Sequence, residues 1–345
     1  MQKPRSLLIA HRWIALVFAP LLLLQAATGA ILLFRDELTQ FALPAETGKD
    51  GKIVPLSTLA GAAIKAFPDL HLKRIFFPVE GKSAAFAQLE GTDGTMRYAA
   101  IDPDSGIVLA SGSIWRFPHE AALQVHYKLM SGPVGLAIVA LNGLALAVLA
   151  LSGVWHWWPG ASRVARELGA PARAPARLKL RMWHRSVGAV LAFVLLSSAV
   201  TGMLLSVPDI PAPWAAAVTT PEPSDPDAKS IDRAFGLAQS AFPASEPRDV
   251  RFAADGSLSV NFLAPRGGKW AVDVVTVSTI DERVTSILPF EQNHALWITA
   301  LPIHTGDTIG PAGRWPILAA AFALVFLAIS GPLAWWRSRR KGRGS

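Results

Sequence analysis

Four stretches of this chain carry no Asp, Glu, Lys or Arg: residues 13–34, 134–158, 186–207 and 315–336, each 22 to 25 residues long. At a rise of roughly 1.5 Å per residue, each is long enough to cross a hydrocarbon core about 30 Å thick. They predict four transmembrane helices. The long segments that follow the first and third spans carry a different pattern. Ser57 to Phe67 predicts an N-capped amphipathic helix ending in Ala66-Phe67-Pro68, and Ser230 to Phe242 predicts another, ending in Ala241-Phe242-Pro243. Short alternating apolar runs follow, broken at Glu80-Gly81, Asp93-Gly94 and Asp104-Ser105-Gly106, then at Asp255-Gly256 and Gly267-Gly268. Such runs predict antiparallel strands. Residues 208–227, with six prolines, read as a linker into the second strand-bearing segment.

Charge orients the spans. Lys3, Arg5 and Arg12 precede the first; Arg163, Arg166, Arg173, Arg177, Lys179, Arg181 and Arg185 lie between the second and third; Arg337, Arg339, Arg340, Lys341 and Arg343 follow the fourth. These fifteen bases face one acid, Glu167, whereas the two long segments hold eighteen bases and 24 acids, a net +14 against −6. By the positive-inside rule both termini and the middle loop are cytoplasmic. The expected fold is an α-helical membrane protein of the bacterial inner membrane, a four-helix transmembrane bundle with two periplasmic α+β domains. The layout is a cytoplasmic N-terminus (1–12), span (13–34), first domain (35–133), span (134–158), basic cytoplasmic loop (159–185), span (186–207), second domain (208–314), span (315–336) and cytoplasmic tail (337–345). The excess of basic residues is a topology signal, and no nucleic-acid partner is expected. A basic start, an apolar run and Ala26, Ala27 and Ala30 also resemble a signal peptide, but the internal repeat argues against cleavage.

That repeat is exact in spacing. His11-Arg12 precedes Thr28-Gly29 by 17 residues and His184-Arg185 precedes Thr201-Gly202 by 17, an offset of 173 between copies. His126 precedes Ser152-Gly153 by 26 residues and His304 precedes Ser330-Gly331 by 26, with an offset of 178 that Trp157-Trp158 and Trp335-Trp336 share. Self-similarity of this kind marks a tandem duplication of one helix–domain–helix unit.

Ile101-Asp102-Pro103-Asp104-Ser105-Gly106-Ile107-Val108 resembles the closing strand–turn–strand signature of PepSY domains, and spans with His-Arg starts and small-residue midpoints resemble the PepSY-associated transmembrane family. The second copy departs from the signature at Val272-Asp273-Val274-Val275. The layout is similar to that of the FoxB-like inner-membrane ferrisiderophore reductases. The resemblance implies two b-type haems, electron transfer across the lipid bilayer to a periplasmic ferric siderophore, and an unidentified cytoplasmic or quinol donor.

The chain has eight histidines and no cysteine, which excludes covalent c-type haem, iron–sulfur clusters and thiolate zinc. His11, His184 and His156 stand at cytoplasmic ends of spans, His126 and His304 on the outer side. Such residues can rest at headgroup level like the neighbouring tryptophans, or serve as axial ligands of haem iron. Under the second reading His126 and His304, equivalent in the repeat, pair around an outer haem. His156 matches Ala334 in the other copy, so the inner haem is asymmetric, with His156 pairing either His11 or His184. Arg12 and Arg185 are candidates for haem carboxylates, as well as ordinary anchors. His71, His119 and His294, with Trp115, Arg116 and Trp270, lie in the outer segments and read as surface or packing residues. No phosphate loop, HExxH motif or partnered nucleophile is present. Spans without acidic or basic residues offer no polar channel, which favours reduction without transport. Two alternatives stay open: a PepSY-type peptide-binding or signalling membrane protein without redox activity, and a haem-containing quinol-linked or sensory cytochrome.

Overall fold

The computed structural model describes residues 5–43, 45, 53–78, 83–168, 175–207 and 227–340. The expected turn at Glu80-Gly81, the linker prolines and Lys3, Arg173, Lys341 and Arg343 lie outside these residues. The chain divides into two compact units, one built from Met1–Leu33, Ala122–Ala212 and Thr299–Ser345, the other from Phe34–Ala121 and Pro213–Ile298.

The first unit is a helical bundle. Helix α1 (Arg5–Leu32) leads to α2 (Arg35–Ala42), which with α3 (Leu56–Ala66) belongs to the second unit. A short helix α4 (Pro118–Lys128) precedes α5 (Gly132–Trp157); α6 (Val164–Glu167) and α7 (Ala176–Ser206) follow, then α8 (Ala228–Ala241), which belongs to the second unit, α9 (Leu296–Thr305) and α10 (Arg314–Arg340). Four of these, α1, α5, α7 and α10, are long and apolar enough to cross a membrane. Helix α7 begins ten residues before its charge-free stretch, so Lys179, Arg181 and Arg185 occupy its first turns rather than a loop. Long basic side chains tolerate this because their stems lie on apolar surface while their heads reach water.

Helix α1 packs against α5 and α10, and so does α7, which leaves α1 and α7 at opposite corners. The middle of the bundle is a dry layer of Leu22, Leu146, Leu195 and Leu324 with Ala26, Ala199 and Ala328. Leu22 and Leu195 obey the offset of 173, Leu146 and Leu324 that of 178.

Helices α4 and α9 are absent from the hydropathy pattern because neither is apolar over a span's length. Each reverses tightly into the long helix that follows it. After α4 the reversal places Leu129 and Met130 at φ of 50° and 56°, and a Cβ on Gly135 would lie 1.7 Å from the Lys128 carbonyl oxygen. Gly313 repeats the arrangement, its Cβ position falling 1.8 Å from the carbonyl oxygen of Gly306. Only glycine permits this approach.

The second unit is an eight-stranded antiparallel sheet. Its strands are β1 (His71–Phe76), β2 (Ala85–Glu90), β3 (Met96–Ile101), β4 (Val108–Gly112), β5 (Pro247–Phe252), β6 (Ser257–Leu263), β7 (Val272–Ser278) and β8 (Arg283–Leu288), in the order β4-β3-β2-β1-β5-β6-β7-β8. Helices α3 and α8 close one core with Leu59, Ile75, Leu89, Val250, Val260 and Phe262. The two long segments therefore do not fold as separate domains: β1 pairs with β5 through Arg74↔Arg251, Ile75↔Val250 and Phe76↔Asp249. Each half covers the edge that the other would leave open.

Three local expectations are corrected. Helix α3 starts at Leu56 after Pro55, and Ser57 does not cap it; the Ser57 N–H and hydroxyl instead donate to Asp232 at 2.9 and 2.5 Å. Helix α8 starts at Ala228, and its cap is Asp227, which accepts from Lys229 and Ser230 N–H, rather than Ser230. The second counterpart of the PepSY signature turn is not at 272–275, which lie within β7, but between β7 and β8. There Glu282, at φ 50°, stands where Gly106, at φ 73°, stands in the first. The missing glycine had hidden the turn.

Candidate functional site

Four histidines of the bundle unit share one local construction. His126, near the end of α4, sets its Nδ1 3.1 Å from the Thr28 hydroxyl on α1 and 3.1 Å from the Gln25 carbonyl oxygen. The Thr28 hydrogen is committed to the Leu24 carbonyl at 2.7 Å, and a carbonyl can only accept. The His126 ring therefore donates through Nδ1 to both. The Gln25 carboxamide closes the bracket by donating to the His126 carbonyl at 2.9 Å.

His304, near the end of α9, repeats the arrangement on α7. Its Nδ1 lies 3.0 Å from the Thr201 hydroxyl, whose own hydrogen goes to the Ser197 carbonyl at 2.7 Å, and Ser198 supplies a backbone acceptor. Gln25 and Ser198 are related by the offset of 173.

At the other end of the bundle the roles of the helices exchange. His11 of α1 sits 2.8 Å from Ser152 of α5, whose hydrogen goes to Val148 at 2.6 Å, and His184 of α7 sits 2.8 Å from Ser330 of α10.

Every one of these hydroxyls is followed by a glycine, and the histidine ring lies over it. A Cβ would fall 3.0 Å from His126 Cε1 at Gly29, 3.3 Å from His304 Cε1 at Gly202, 3.5 Å from His11 Cε1 at Gly153 and 3.1 Å from His184 Cε1 at Gly331. The dipeptide does two things: at Thr28, Thr201 and Ser152 the hydroxyl, its hydrogen committed to a backbone carbonyl, fixes the tautomer, and at all four sites the glycine lets the ring lie against the backbone. A neutral imidazole donating through Nδ1 presents a lone pair at Nε2, the configuration of a metal-ligating histidine.

The histidines fall into two tiers. In one, termed outer after the orientation expected from the charge pattern, His126 and His304 have ring centroids 6.1 Å apart at an interplanar angle of 56°. Two imidazole nitrogens each about 2.0 Å from a shared metal ion would put their ring centroids about 6 Å apart. In the inner tier His11 lies close enough to both His184 and His156 to interact electrostatically. His156 is one turn beyond Ser152 on α5; the hydroxyl clamp is seen at His11, His126, His184 and His304. Arg12 is exposed and Arg185 half-buried, each adjacent in sequence to an inner-tier histidine. Among the described residues no group of three or more His, Cys, Asp or Glu side chains could hold a metal ion. Two imidazoles suit an ion that takes its other ligands elsewhere, as the iron of a porphyrin does.

The sequence profile of the PepSY-associated TM region matches residues 8–338, nearly the whole chain. The chain belongs to the PepSY-associated transmembrane family. No curated protein matches it. Within this PepSY-associated chain the other histidines lie in the sheet unit. His119 is buried against Phe86 at 5.8 Å between ring centroids; burial pushes its pKa below the usual imidazole range, Arg35 adds to that and Glu120 opposes it. Its neighbour Glu120, also buried, accepts from Arg35 at 2.9 Å. His294 and Trp115 are exposed.

The hydroxyl partners, Gln25 and the two short helices were missed by pattern reading. The signal for them was present: the offsets that tie the histidines together tie the Thr-Gly and Ser-Gly pairs as well.

Proposed function

We propose that this chain is a b-type haem reductase of the bacterial inner membrane, passing electrons from a cytoplasmic or quinol donor to a ferric siderophore in the periplasm. The observation that carries this reading is the outer pair, two imidazoles clamped through Nδ1 with centroids 6.1 Å apart. His126 and His304 would hold one haem iron; His11 and His184, which share the same clamp, would hold the second, with His156 as the alternative inner ligand. When bound, each haem supplies a reversible one-electron carrier.

The chain's own residues do the rest. Thr28, Thr201, Ser152 and Ser330 hold each ring in one tautomer and orientation, as outer partners of ligating histidines do. Gly29, Gly202, Gly153 and Gly331 leave space beside the rings. Seventeen residues of α1 separate His11 from Thr28, roughly 26 Å of helix, so the tiers stand near opposite faces of a hydrocarbon core about 30 Å thick. The leucine layer between them excludes water, and Arg12 and Arg185 offer guanidinium forks for haem carboxylates at the cytoplasmic end.

Purification in mild detergent followed by a visible spectrum tests the reading. A Soret band and an α-band on dithionite reduction are expected, and His126→Ala and His304→Ala should each remove the same fraction of haem. Absence of both bands would leave the spans as anchors of a peptide-binding or signalling protein. Reductase activity is tested by adding ferric siderophores to the dithionite-reduced protein: reoxidation supports the proposal, and inertness toward all of them favours a sensory or quinol-linked cytochrome.

A further inference from the structure

Among the described residues, the sheet unit holds three ionic clusters built on a buried carboxylate, and they differ in balance. Arg35 faces one carboxylate, Glu120. Arg266 faces two, Asp273 and Glu291. At the seam between β1 and β5 the ratio is reversed: Arg74, Arg248 and Arg251 converge on the single, fully buried Asp249. Each strand carries an irregularity of register against its other neighbour, between Leu72 and Arg74 where β1 pairs with β2 and between Pro247 and Asp249 where β5 pairs with β6. A bulge of this kind re-aims a side chain, and here Arg248 meets the same carboxylate as Arg74.

Asp249 is held by donors on both of its oxygens. Its Oδ1 takes Arg74 Nε at 2.9 Å, Arg74 Nη2 at 2.8 Å and the Asn261 carboxamide at 2.8 Å, and its Oδ2 takes Arg248 Nε at 2.9 Å. Arg251 comes no closer than 3.6 Å and its side chain is 54% exposed. Burial pushes Arg74 below the usual guanidinium range, Asp249 draws it back, and Arg251 and Arg248 push it down again. The cluster thus sets three guanidinium groups against one carboxylate, Arg251 being the most exposed of the three, in segments whose net charge is −6. Guanidinium forks match planar oxyanions.

We propose that the β1–β5 seam is an anion-binding site, formed by Arg74, Arg248 and Arg251, that takes the oxygen-rich face of a negatively charged ferric chelate. The inference rests on the reductase reading and names the charge class of its acceptor.

Gallium(III) complexes, which take no electron from the protein, separate binding from reduction. Calorimetric titration of the full-length protein in detergent should show binding of anionic gallium(III)–citrate and weaker binding of cationic gallium(III)–desferrioxamine B. Arg251→Gln should weaken the citrate complex roughly tenfold, the loss of one charge-assisted contact, while Arg251→Lys retains most of the affinity. Arg251 is half-exposed, so circular dichroism of both variants should match the parent. Equal affinity for the two complexes or an unchanged Arg251→Gln would overturn the proposal. If gallium(III)–citrate binds as stated but ferric citrate does not reoxidise the reduced protein, the reductase reading fails and the site stands.

Discussion

At the scale of single residues, a hydroxyl and a glycine side by side convert an ordinary apolar span into a seat for an imidazole. Thr28 spends its hydrogen on Leu24 and keeps its lone pairs for His126, so replacing it by Val keeps the shape and removes the acceptor. Under the haem reading Thr28→Val should lower haem affinity by roughly 10–100-fold, the usual cost of losing an outer partner of a ligating histidine, and shift the reduction potential of the outer centre while leaving the inner one in place. Redox titration monitored by visible spectroscopy reads both effects, and a uniform loss of both centres would mean that Thr28 serves only folding. Gln25 brackets His126 from two sides, whereas its repeat partner Ser198 carries no carboxamide. Gln25→Leu should therefore broaden the spectroscopic signature of the outer site, and Ser198→Ala should not. The histidines were legible in the sequence because a lone imidazole near an apolar span stands out. Their partners were not, because Thr-Gly and Ser-Gly are what plain helix packing in membranes also selects.

At the scale of elements, α4 and α9 matter out of proportion to their length. Each carries its histidine within the last turns and then reverses through a contact that a side chain would block. Gly135→Ala would drive a methyl group into the Lys128 carbonyl, 1.7 Å away. The reversal must then open, and His126 loses its register against α1. The expected outcome is a folded but thermally weakened protein, read by melting curves, and under the haem reading one with a depleted outer site; Gly188→Ala on α7, whose nearest neighbour is a leucine methyl at 3.6 Å, is the matched control.

In the sheet, the β1–β5 seam depends on Asp249. Burial would raise its pKa, but Arg74 and Arg248 outweigh that and hold it below the usual carboxylate range. A depressed folded pKa contributes stability that is complete above the unfolded value of about 4 and is lost as the pH falls through the folded one. Thermal unfolding followed from neutral to acid pH should show a steep loss of stability below about pH 4 that Asp249→Asn lacks. At neutral pH the same substitution should cost about 3–5 kcal/mol, the penalty of leaving buried charge without its partner.

At the scale of the whole molecule, charge asymmetry predicts topology. The chain has no cysteine, so single-cysteine labelling reports without background. Thr92→Cys, in the exposed turn between β2 and β3, should react with a membrane-impermeant maleimide added to spheroplasts. Ser162→Cys, in the basic segment between α5 and α7, should react only after permeabilisation. The reverse pattern would invert the orientation. A family profile that covers residues 8–338 agrees with the four apolar helices and the α+β sheet, which periodicity alone reveals because the bilayer and the pleat impose different spacings on apolar residues.

The sequence by itself determined the four apolar helices, the antiparallel α+β element between them and the family, since each depends on local spacing of apolar residues or on a short turn motif. Tertiary structure decided what each histidine touches, that the two strand-bearing segments share one sheet, and which carboxylate faces which arginine. These are contacts between residues about a hundred or more positions apart, as His126 to Thr28, His11 to Ser152 and Arg74 to Asp249 are. Local propensity carries no information about such pairs; they follow from which helices become neighbours and which strand edges close on each other.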